Sequence, residues 1–112
     1  MQTPSTLCDD VARARLAQSA VAYAFSVPLD EMEAPTRRSR ETAFARQVAM
    51  YLAHVAFELS LSRVALAFGR DRSTAAHACH RVEDERDNQL FDRHLDALEA
   101  CLRAAPRPGD TA

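Results

Sequence analysis

The chain has 112 residues, 47% hydrophobic and 6% aromatic, enough apolar mass for one domain whose many alanines favour closely packed helices. A formal net charge of −2 excludes a global basic field, and two glycines with few β-branched runs argue against a sheet. No apolar run reaches the ~18 residues of a membrane span, and no leader pattern follows Met1.

Met1–Thr6 reads as a flexible polar arm. The first helix is expected over Asp9–Phe25, with Val11, Ala14, Val21, Ala24 and Phe25 inward and Asp9 and Asp10 at its positive end. Pro28 closes it. Pro28–Glu33 fits one helical turn, with Leu29 and Met32 inward, before Pro35 breaks the chain again. Thr36–Arg40, reading TRRSR, is a basic loop. The strongest helical period follows in Glu41–Leu59, where Phe44, Val48, Tyr51, Leu52, Val55 and Leu59 form one face, so this helix is the expected scaffold.

Ser60 is a suitable N-cap for a short helix through Ala67, with Leu61, Val64, Ala65 and Phe68 inward. Gly69 can take φ > 0 and end it, and Asp71 or Ser73 can cap a further helix running to about Arg86. Two short helices joined by a glycine-containing turn make a helix-turn-helix pattern. Asn88 caps a last helix over Gln89–Ala104, packing Leu90, Phe91, Leu95, Leu98, Cys101 and Leu102. The expected organisation is one domain over 7–104, with a disordered tail from 105 to 112.

Within the helix after Gly69, Ala75, Ala78, Cys79 and Val82 form one apolar stripe. The opposite face carries Ser73, Thr74, His77, His80 and Arg81. Short donors and acceptors suit base edges, and cations beyond them suit phosphates. Charge is distributed to match. Residues 37–81 hold eight arginines (37, 38, 40, 46, 63, 70, 72 and 81) against Glu41, Glu58 and Asp71, while both flanks are net acidic.

Other chemistries find little support. His77, His80 and Cys79 lack a fourth ligand nearby, and Cys79 belongs to the apolar stripe, so no metal or other cofactor is expected. Glu83, Asp84 and Glu85 spread around a helix as solvated charge, and nothing suggests a nucleophile with an oriented base. Three distant cysteines (Cys8, Cys79, Cys101) read as reduced thiols of a cytoplasmic protein that is not an enzyme.

RRSR, ARQVAMYLA and LSLSRVALAFGRDRSTAAHACHRVEDER together resemble the C-terminal DNA-binding domain (domain IV) of the bacterial replication initiator DnaA. The family signature reads F-G-G-R-D-H-[ST]-T-V-x-H-A-C-[RK]-[KR]-I. Phe68, Gly69, Arg70, Asp71, Ser73, Thr74, His77, Ala78, Cys79 and Arg81 match it in order. The resemblance implies an all-α, DnaA domain IV-like and Trp-repressor-like body that docks its signature helix in the major groove of a DnaA box. It further implies that Arg38, with Arg37 and Arg40 beside it, reaches the adjacent minor groove, and that Gln47 contacts phosphate. Asp71 would accept from an exocyclic amine, Ser73 and Thr74 would touch thymine edges or backbone, and His77 and Arg81 would lie toward phosphate. Arg70 and Arg72 complete the expected DNA-binding set.

This chain departs from the signature. One glycine of the pair is missing, Arg72 replaces a histidine that meets a thymine methyl, Ala75 and Ala76 replace larger residues, and His80 replaces a cation. A shifted base preference is therefore expected. With no lysine, these residues contain no G-x-x-x-x-G-K-[ST] phosphate loop, which suggests a free-standing, monomeric recognition domain without the ATPase. Its expected partner is double-stranded DNA at DnaA-box-like sites, with replication initiation or transcription as the regulated process. The alternative is a module that binds DnaA or its inactivating factors and acts without DNA.

Overall fold

The computed structural model describes residues 4–34 and 39–110. Six helices follow in order: α1 (Pro4–Phe25), α2 (Leu29–Glu33), α3 (Arg40–Ala56), α4 (Leu61–Phe68), α5 (Arg72–Glu85) and α6 (Gln89–Arg103). No strand occurs among the described residues. The all-α expectation is correct.

The central rod is α3, as its period predicts. It packs against α1 and α5 most heavily, and also against α2, α4 and α6. Val48, Tyr51 and Leu52 are buried, joined by Ala45, Ala49 and Ala53. Alanine at these positions lets the helix axes approach closely, since no long side chain separates them. One core cluster joins α1, α2, α3 and α6 through Val21, Met32, Leu52, Leu95 and Leu102, with Val82 of α5. A second joins Met50 and Ala53 to Val64 and Ala65 of α4 and Ala75 and Ala78 of α5. Helix α5 is thus held by its alanine stripe against the scaffold and against α4.

Several sequence expectations need correction. Helix α1 begins at Pro4 rather than Asp9, because proline suits the first helical position, where its missing N–H costs nothing. Asp10 then falls in the second turn, where it is buried and bonded to Arg63 rather than standing at the helix end. Helix α3 starts at Arg40 and ends at Ala56; Leu59 is buried from the following loop. Leu29 and Leu90, expected inward, are 41% and 76% exposed, and Cys101 is exposed. Leu29 and Leu90 lie in the first turns of their helices, where a 3.6 period has nothing earlier to align with.

Candidate nucleic-acid interface

The turn between α4 and α5 is built by local chemistry. The Ser60 hydroxyl accepts from the Arg63 N–H and starts α4. Gly69 ends it at φ 66°, in the left-handed region. The Arg70 N–H donates to Ala65 O at 2.8 Å and the Gly69 N–H to Leu66 O at 3.2 Å, the crossed pair of a Schellman ending. One glycine therefore suffices for this shortened turn. Asp71 takes the N-cap position of α5, but its carboxylate makes no capping bond.

That missing cap bond has a counterpart along the outer face. Arg70, Asp71, Arg72, Ser73, Thr74 and His77 are all exposed. Among the described residues, none of these side chains has a hydrogen-bond or ionic partner. Their backs, Ala75, Ala78 and Val82, are completely buried. Two guanidinium groups beside the positive end of α5 oppose its dipole by roughly 0.3–1 kcal/mol each. The Asp71 carboxylate at the N-cap offsets part of this, and no acidic residue stands in the first turn itself. These exposed side chains are available to an external acceptor or anion.

More than two turns further along α5, at Arg81, lies the start of α3. The Ser39 hydroxyl accepts from the Thr42 N–H at 3.1 Å and caps the helix. Arg40, Ala43, Phe44, Gln47 and Arg81 line a concavity of 580 Å³. Arg81 crosses the Phe44 ring at 5.1 Å and donates to Glu85 at 2.6 Å, so it is present at the groove but already engaged. Phe44 also meets Phe25 and Phe91, and Phe25 stacks on His94. Gln47 is half-buried on the same wall. Arg37 and Arg38, expected in the basic loop, lie outside the described residues.

Two arginines of the cationic centre serve the interior instead. Arg46 is buried; its guanidinium donates to Met32 O at 3.1 Å and Glu31 O at 2.6 Å, closing the end of α2. Arg63 grips Asp10 through two hydrogen bonds of 2.8 and 2.9 Å, and this bond raises its pKa. Counting charge along the sequence could not separate these from the outward-facing arginines.

A third structural group was also missed. The Tyr51 hydroxyl donates to Glu83 at 2.8 Å and accepts from Arg86 at 3.0 Å. Arg86 continues to Asp92 and Asp96 of α6. The network ties the far end of α5 to both α3 and α6. Burial, followed by the bond to Glu83, pushes the Tyr51 phenol up, although Arg86 works against the shift. Burial and the nearby Glu83 push the Cys79 thiol up to about 11, consistent with its place on the packed side of α5.

The described residues bring no group of three His, Cys, Asp or Glu side chains together as metal ligands. No described helix is long and apolar enough to cross a membrane.

Comparison with known proteins agrees with this geometry. The family described as the bacterial DnaA protein helix-turn-helix matches residues 15–82. The chromosomal replication initiator DnaA of Thermoanaerobacter sp. (strain X514) is 30% identical over 90 residues, 80% of this chain and 20% of that protein. The DnaA of Chromobacterium violaceum is 39% identical over 88 residues, 77% of this chain and 19% of that protein. The chain thus spans about a fifth of the length of these relatives. A solved crystal structure of a DNA replication initiation factor superposes with a TM-score of 0.73 at 28% identity, covering 85% of this chain and 29% of that one. The residues matched include α3, the Gly69 turn and α5 up to Val82, and on that ground the chain belongs to the helix-turn-helix DNA-binding family of bacterial DnaA.

Proposed function

We propose that this chain binds double-stranded DNA at DnaA-box-like sites and thereby regulates replication initiation or transcription, with no ATPase activity of its own. The observation that carries the reading is the outer face of α5: Asp71, Ser73, Thr74 and His77 are exposed and unpartnered at the leading end of a helix anchored on its other side. The N-terminal residues of a recognition helix are those that meet base edges. In this reading Asp71, Ser73 and Thr74 meet bases in the major groove. Arg40, Gln47, Arg70, His77 and Arg81 contact the phosphates, and Arg37 and Arg38 enter the neighbouring minor groove. The domain acts as a monomer.

The test is binding to duplexes with intact and scrambled DnaA boxes at two salt concentrations. The intact box should be preferred by about 10³-fold or more at physiological salt. Equal affinity for both duplexes would overturn the sequence-reading part.

A second reading is favoured by apolar groups the first leaves unused. Tyr23 and Leu90 are 89% and 76% exposed, outside the α4–α5 unit. In that reading the domain docks on DnaA or on factors that inactivate it. Capture of such partners from nuclease-treated lysate by an Arg38→Ala/Asp71→Ala double variant would favour this reading, and loss of capture would exclude it.

A further inference from the structure

We propose that Arg72 is a specificity-determining residue that reads a guanine in the major groove. The inference rests on the proposed DNA-binding reading and goes beyond it by naming a base and the group that selects it.

Arg72 is the first residue of α5, directly after the N-cap Asp71. Side chains on a helix lean toward its N-terminus, so a residue in the first turn projects past the leading end. Arg72 is exposed and has no partner. The other described arginines of the cationic centre differ in position or engagement. Arg46 holds the end of α2, Arg63 holds Asp10, and Arg81 is bonded to Glu85. Arg40 stands at the start of α3, and Arg70 precedes the helix in the turn. Arg72 alone among them combines a position on the first turn of the recognition helix with a free guanidinium.

Its neighbours direct it to bases rather than phosphates. Ser73 and Thr74 beside it are short. One turn on, at the i+4 position, stands Ala76, which adds no bulk that would hold the helix away from the groove floor. Arg72 is therefore the longest side chain at the leading end of α5. A planar guanidinium offers parallel donors, and guanine alone presents two acceptors, N7 and O6, on its major-groove edge. Adenine and thymine present an acceptor beside a donor or a methyl group, and cytosine presents a donor, so none of them satisfies both arms of the fork. Asp71, the adjacent acceptor, cannot satisfy that edge and would repel it.

The experiment is selection from a randomised duplex pool by the whole chain, followed by titration of the selected duplex and its single-base variants. Wild type, Arg72→Ala and Arg72→Lys are compared, with thermal unfolding recorded for each. The expected result is one strongly enriched G in the wild-type consensus. Replacing that base should weaken wild-type binding by about 5- to 150-fold and leave Arg72→Ala binding unchanged. Arg72→Lys keeps the charge and can still donate to N7 and O6 but lacks the planar fork, so it should keep the salt dependence and retain a reduced preference for G.

A uniform loss of affinity in Arg72→Ala across all duplexes, with the salt slope reduced by about one, would make Arg72 a phosphate contact and overturn the inference. The DNA-binding reading would survive that outcome. Failure of the wild type to enrich any sequence would overturn both. An unaltered unfolding temperature in the variants separates either outcome from misfolding.

Discussion

Asp10 of α1 and Arg63 of α4 stand 53 positions apart and are joined fork to fork, with the carboxylate fully buried and the guanidinium 37% exposed. The pair fastens the long first helix to the first helix of the helix-turn-helix. Its two ends are not equivalent. Arg63→Ala leaves a buried carboxylate without its main counter-charge and should cost about 3 kcal/mol. Asp10→Ala leaves a guanidinium that can turn to water and should cost less. Urea unfolding of the two variants at neutral pH measures the difference, and equal losses would refute the asymmetry.

Gly69→Ala should destabilise the protein by about 1–2 kcal/mol, because the added Cβ opposes the left-handed conformation at φ 66°. Space is not the reason, since nothing lies within 4 Å of where that Cβ would stand. The converse applies at Ser26 and Glu58, which hold φ 55° and 57° with ordinary side chains. Their replacement by glycine should raise the melting temperature by several degrees, taking ~1 kcal/mol as about 4–8 °C in a domain of this size. Thermal unfolding of the three variants checks both signs.

Asn88→Ala and Asp71→Ala should separate stability from recognition. The Asn88 side chain accepts from the Phe91 N–H at 3.2 Å, so its removal should cost about 1 kcal/mol and leave base preference alone. Asp71 makes no such bond, so its removal should cost less stability and relax base preference by roughly 1–3 kcal/mol at one position. Calorimetry and duplex titration on the same samples distinguish the two variants.

The three thiols should differ in reactivity. Cys8 and Cys101 are exposed. Cys79 is held neutral by burial and by Glu83, with its pKa raised to about 11, so near pH 8 almost none of it is the reactive thiolate. Alkylation of the native protein should stop at Cys8 and Cys101 and reach Cys79 only on unfolding. Mass spectrometry of partly labelled protein gives the answer directly.

The α4–turn–α5 unit was legible in the sequence because its signals are local. Ser60, Gly69 and Asn88 act on atoms within a few residues, and the helix ends they mark agree with the sequence to within one or two positions. The alanine stripe of α5 was legible for the same reason. What was not legible depends on partners far along the chain. Neither Asp10 with Arg63 nor Arg46 with the α2 carbonyls carries a local mark, so along the sequence both arginines are indistinguishable from the rest of the cationic centre. Arg86 looks like an ordinary charged residue until α6 folds back and brings Asp92 and Asp96 to it. The start of α1 carries only one local mark, Pro4, and the apolar stripe that signals the helix begins later, at Val11.

Arg46 and Gln47 are neighbours on α3 that serve different partners. The first grips the Glu31 and Met32 carbonyls of α2, while the second lines the concavity shared with Arg81 of α5. The end of α2 is therefore held by the same rod that backs α5, so a change at Arg46 would be felt on both sides of α3.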